Sequence, residues 1–98
     1  MRGEQDYSDS MPAFSDLYAL IASVKSPKEA EMLLQDMLTP QELESLSERW
    51  QIVKELAKGT SQRDLAKKLG VSISKITRWS RMLSYGSGGF RYFLEKNQ

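Results

Sequence analysis

Apolar residues recur along this chain at steps of three and four, the spacing of a helix face, and no segment shows the strict alternation of a half-buried strand. From Met11 onward Phe14, Leu17, Tyr18, Ile21 and Val24 fall on one face. The segment "SPKEA" then carries the start signals of a second helix: Ser26 as N-cap, Pro27 in the first turn and Glu29 to complete a capping box. Its apolar face is Ala30, Leu33, Leu34, Met37 and Leu38. "TPQE" repeats the signal at Thr39, Pro40 and Glu42, and opens a longer stripe of Leu43, Leu46, Trp50, Val53, Leu56 and Ala57 that ends before Gly59. Ile52 widens this stripe, so the third helix is expected to pack on more than one side. "TSQRD" and "VSISK" open a short fourth and a fifth helix, and Phe90, Phe93 and Leu94 mark a brief last one after the glycine-rich "YGSGG". The expected fold is all-α, with about six helices over residues 11–98 and a loose polar tail over residues 1–10.

The fourth and fifth segments meet at Gly70, and together they fit a helix-turn-helix unit over residues 62–81. Leu65, Leu69, Val71, Ile76 and Trp79 fall at its inward positions, and Ala66 is small where the two helices approach closely. Gly70 stands at the reversal, where a residue without Cβ takes a positive φ freely. Ser72 is placed to cap the second helix. The positions left facing outward are Ile73, Ser74, Lys75, Thr77, Arg78 and Arg81. An exposed isoleucine suits a thymine methyl in the major groove, and a threonine there meets base edges or phosphates. Lys75 and Arg81 suit phosphates, while Gln62 and Arg63 begin the preceding helix, where backbone amides and side chains grip the DNA backbone, and Arg63 also has the reach for bidentate bonds to guanine O6 and N7. The candidate DNA contacts are therefore Gln62, Arg63, Ser72, Ile73, Ser74, Lys75, Thr77 and Arg81.

Charge sharpens that picture. The net charge of +1 conceals a division: residues 1–48 hold 3 Lys/Arg against 10 Asp/Glu, and residues 49–98 hold 11 against 3. A basic half of this kind is the electrostatic footprint of a polyanion binder, although two oppositely charged halves also attract each other. The 98 residues contain no cysteine and no histidine, which removes disulfides, thiolate metal sites and the commonest general base. Asp36, Glu42 and Glu44 are the remaining acids considered for catalysis, but Glu42 and Glu44 lie on different faces of a helix. Carboxylates near a helix start are ordinary partners of its dipole, so an enzyme is not expected. No apolar run reaches the ~18–20 residues of a membrane span, and no signal segment opens the chain; the expected location is cytoplasmic.

The stretch "MLTPQELESLSERWQIVKELAKGTSQRDLAKKLGVSISKITR", residues 37–78, resembles the Trp repressor family. "MLTP", an arginine ten residues after its threonine, "IVKEL", "SQRDL" and "ITR" carry the resemblance. It implies an intertwined helical homodimer whose two reading heads address a palindromic operator on double-stranded DNA, as is established for Trp repressor itself. It also implies a small-molecule site, in which the indole of the corepressor L-tryptophan lies between two arginines, matched here by Arg49 and Arg78, with Thr39 matching the threonine that helps hold the ligand's carboxylate. Two positions depart from that pattern. Trp79 replaces the glycine after the second arginine, and Met82 replaces the serine that meets the ligand's amino group. The tail "RMLSYGSGGFRYFL" looks like the Trp-repressor-related proteins of the YerC type, which also lack that glycine.

Trp79 either fills the ligand's place from the protein's own chain or serves as core at an inward position of the motif. Arg49 and Arg78 then remain for phosphate contacts, a salt bridge to Glu48 or Glu42, or another small anion. The functional expectation is a repressor that binds its operator as a homodimer, gated by L-tryptophan or independent of any ligand. The competing reading is a helical protein–protein interaction module in which the motif is only a packing device.

Overall fold

The computed structural model describes residues 12–98, so the expected tail over residues 1–10 and a helix start at Met11 lie outside the described residues. Among the described residues there are six helices and no strand: α1 Pro12–Ala22, α2 Pro27–Met37, α3 Pro40–Ala57, α4 Gln62–Leu69, α5 Ile73–Tyr85 and α6 Gly89–Lys96. The chain divides into two compact units, Met1–Thr39 and Pro40–Gln98.

In the first unit the start of α2 follows its sequence signals. The Ser26 hydroxyl accepts from the Glu29 N–H at 3.1 Å, and Pro27 sits in the first turn. The returning bond of the capping box is displaced by one residue, since the Glu29 carboxylate accepts from the N–H of Lys25 at 2.9 Å rather than from that of Ser26. Helix α1 ends where the Ser23 N–H reaches the carbonyls of Ala19 and Leu20. No residue between 13 and 39 is buried, although this segment carries Leu17, Tyr18, Leu20, Ile21, Met32 and Met37, all exposed.

The second unit holds the core. Ile52, Leu65 and Ile76, all at 0% exposure, come from α3, α4 and α5 and form one cluster. Leu56, Ala66, Leu69, Val71 and Trp79 pack around it, so every position assigned inward in the helix-turn-helix joins the cluster or lies against it. Val53, next to Ile52, is also at 0% exposure, as expected of a helix covered on more than one side. Helix α4 closes as a Schellman turn: the Val71 N–H reaches the Ala66 carbonyl at 3.1 Å, and the Gly70 N–H reaches that of Lys67 at 3.3 Å. Gly70 has φ +67°, which satisfies those carbonyls while turning the chain toward α5. The end of α3 closes in the same way, with Thr60 N–H on Glu55 and Gly59 N–H on Leu56.

Candidate nucleic-acid interface

Serine caps start both α4 and α5, Gly70 turns the chain between them, and a glutamine bridges them. Ser61 caps α4 by accepting from the Asp64 N–H at 3.1 Å, and Ser72 caps α5 by accepting from the Lys75 N–H at 3.2 Å. Each cap fills one of the orphan donors of a helix start. Across the two helices, Gln62 uses both ends of its amide. Its Oε1 accepts from the Thr77 hydroxyl at 2.9 Å, and its Nε2 donates to the Ser80 hydroxyl at 3.3 Å. The first residue of α4 is thus tied to two turns of α5.

With Ile76 buried, the opposite side of α5 faces solvent. Ser72, Ile73, Ser74, Lys75, Thr77, Arg78 and Arg81 are exposed, with Ile73 at 48%, and Arg63 is exposed on the first turn of α4. Gln62 is partly covered. All eight residues expected at DNA therefore lie within the helix-turn-helix, but four already have protein partners: the Ser72 hydroxyl is engaged as the cap of α5. Gln62 and Thr77 hold each other, and Lys75 pairs with Glu48 of α3 at 3.0 Å.

Behind this surface lies a second cluster. The Arg49 guanidinium carbon stands 4.3 Å from the centre of the Trp79 ring, and that of Arg78 stands 5.1 Å from it. Trp79 also receives the ring of Phe90 edge-on at 6.4 Å, and Phe90 in turn lies 6.4 Å from Trp50. The two arginines thus meet an indole supplied by the chain itself. Cation–π contacts of this kind contribute ~0.5–2 kcal/mol each, more as water is excluded. Ser45, Glu48, Arg49, Lys75, Arg78 and Trp79 wall a depression of about 220 Å³, and the Arg49 Nε is buried without a hydrogen-bond partner. Thr39 is exposed at the end of the first unit, and its part in a ligand site rests on the resemblance.

Sequence reading did not anticipate three contributors: Glu48 as the partner of Lys75, the Gln62–Ser80 bond, and Phe90 as the cover of Trp79. The first two join residues 27 and 18 positions apart. No local spacing signals such pairs; only the helix crossing brings them together.

An all-helical unit with a capped helix-turn-helix and a basic exposed face defines the class of DNA-binding transcription regulators. The comparisons narrow that class. The family model for Trp repressor protein matches residues 13–98, and the chain belongs to the Trp repressor family. It is 42% identical over 84 residues to a Trp operon repressor homolog of Vibrio campbellii, covering 85% of this chain and 80% of that one. A Trp operon repressor homolog of Xylella fastidiosa is 38% identical over 85 residues, covering 86% and 90%. The crystal structure of a TrpR-like protein from Eubacterium eligens superposes with a TM-score of 0.84 at 32% identity, over 93% of this chain and 94% of that one. The family is one of regulators rather than enzymes.

Proposed function

We propose that this protein is a homodimeric repressor that occupies a palindromic operator without requiring L-tryptophan. The observation that carries the ligand-independent part is the position of Trp79, whose ring lies against both Arg49 and Arg78. Those arginines match the pair that holds the corepressor's indole in Trp repressor, and here an indole fixed in the chain is already beside them. A ligand that must enter the same place meets a covalently attached competitor, whose effective concentration no free amino acid matches.

DNA recognition divides into two contributions. Arg63, Lys75 and Arg81, with the capped starts of α4 and α5, supply salt-sensitive affinity for phosphates. Ile73, Ser74 and Thr77 supply discrimination on the exposed face of α5, through apolar contact with a thymine methyl and hydroxyl bonds to base edges. The Gln62–Thr77 bond fixes the threonine's rotamer before contact, which lowers the ordering cost on binding.

The test is a titration of the protein into duplex fragments of its own genome at two salt concentrations, with and without L-tryptophan. The expected result is tight, salt-sensitive binding to particular fragments that tryptophan leaves unchanged. Binding that appears only with tryptophan would overturn the ligand-independent reading. Absence of DNA binding even at low salt would favour the interaction-module reading instead.

A further inference from the structure

We propose that the depression beside Trp79 is a seat for one backbone phosphate of DNA, and that Glu48 acts as a latch that holds Lys75 away from that phosphate in the free protein. The proposal rests on the DNA-binding reading above. Three cations converge on the depression, Arg49 from α3 and Lys75 and Arg78 from α5, against the single carboxylate of Glu48. Lys75 and Arg78 are three residues apart and so share one side of their helix. The Arg49 Nε is a buried donor with no acceptor, and a group of that kind calls for one from outside. The rest of the wall admits an anion: Trp79 forms a flat side and Ser45 adds a hydroxyl.

The position selects DNA over a free anion. Lys75 and Arg78 are exposed on the same helix whose Ile73 and Thr77 face solvent, so a duplex lying along α5 brings its backbone past the seat. The Lys75–Glu48 pair is suited to exchange rather than to permanence. Its side chains remain 47% and 33% exposed, and ion pairs in such surroundings are weak. A phosphate arriving at the seat takes over Lys75, and Glu48 turns to water.

The experiment measures affinity for a bound fragment as a function of salt for the wild-type protein and for Glu48→Gln, Lys75→Gln, Arg49→Gln and the Glu48→Gln/Lys75→Gln double variant. Far-ultraviolet circular dichroism checks that each is folded. Glu48→Gln is expected to tighten binding roughly threefold, the scale of a weak ion pair. Lys75→Gln and Arg49→Gln are each expected to weaken binding and to lower the slope of log K against log salt, by at most the ~0.9 of the one phosphate they share. Lys75→Gln keeps the test decisive if Arg49→Gln does not fold, because Lys75 is exposed. In the Lys75→Gln background the gain from Glu48→Gln is expected to vanish. Glu95→Gln on α6 makes the same charge change elsewhere and is expected to leave affinity nearly unchanged. Equal gains from Glu48→Gln and Glu95→Gln, or a gain that survives without Lys75, would overturn the latch. Unchanged slopes for both cation variants in a protein that binds DNA normally would overturn the seat alone. If the wild-type protein binds no DNA, the functional reading itself falls. Inorganic phosphate added at constant ionic strength is expected not to compete, and strong competition would reassign the seat to a free anion.

Discussion

Trp79 is held by more than burial. Its ring packs on the core cluster, meets Phe90 edge-on and carries two guanidiniums, so its removal breaks contacts of three kinds at once. Trp79→Gly is expected to destabilise the protein by about 3 kcal/mol, combining lost contacts with roughly 1 kcal/mol for glycine inside a helix. Urea denaturation measures that loss. The same variant restores the small residue found after the second arginine in Trp repressor and leaves Arg49 and Arg78 without their indole. Isothermal titration is therefore expected to detect L-tryptophan binding to Trp79→Gly and none to the wild-type protein, with part of the lost stability regained when the amino acid is added. Heat from wild-type protein on addition of tryptophan would refute this account of Trp79.

Between elements, Glu55 is the polar joint of the reading unit. It belongs to the last turn of α3 and accepts from Lys58 at 3.4 Å, from Lys68 of α4 at 3.3 Å and from Thr60 in the intervening turn at 3.1 Å. Hydrogen bonds from Lys68 first and Thr60 second hold its carboxyl below the ordinary value of 4.5. A depressed value in the folded state means that ionised Glu55 favours folding. That contribution is complete above the unfolded value and is lost as pH falls through the folded one. Glu55→Gln is thus expected to be less stable than the wild-type protein at neutral pH, with the gap closing as pH falls below the ordinary carboxylate value of 4.5. Denaturation midpoints from neutral pH down through that value check it; a gap independent of pH would mean that the carboxylate's charge plays no part. The caps at Ser26 and Ser72 and the turn at Gly70 were legible in the sequence, because each acts within five residues of itself. The inward set of Leu65, Leu69, Val71, Ile76 and Trp79 was legible for a similar reason, as helix period alone selects it. The pairs Glu48–Lys75 and Gln62–Thr77 were not, because they depend on how α3, α4 and α5 cross. Trp79 lay between: its identity raised the question of a filled pocket, and only the distances from Arg49 and Arg78 show the two guanidiniums on its ring.

At the scale of the whole molecule, the apolar faces of α1 and α2 call for a partner. No residue from 13 to 39 is buried, yet Leu17, Tyr18, Leu20, Ile21, Met32 and Met37 all stand exposed in this segment. Four buried core side chains among the described residues are a small interior for a chain of 98 residues. In the proposed homodimer the same faces of a second copy would cover those of α1 and α2, the self-complementary solution that twofold symmetry provides. The symmetry also duplicates the reading head, and two heads related by a twofold axis require a palindromic site. Sedimentation equilibrium is expected to give twice the chain's mass, and the melting temperature is expected to rise with protein concentration, as mass action demands of a dimer whose subunits fold together. Ile21→Asp, a charge on an exposed α1 position at 51% accessibility, is expected to dissociate the dimer and to cost most of the operator affinity, while Arg63 and the rest of the reading surface are untouched. A single α5 contributes only half of the base contacts and half of the phosphates, so the loss for the operator is expected to exceed the loss for random DNA. A wild-type protein that sediments as a monomer and still melts sharply would remove the dimer. The palindromic operator would fall with it, and recognition would rest on one reading head alone.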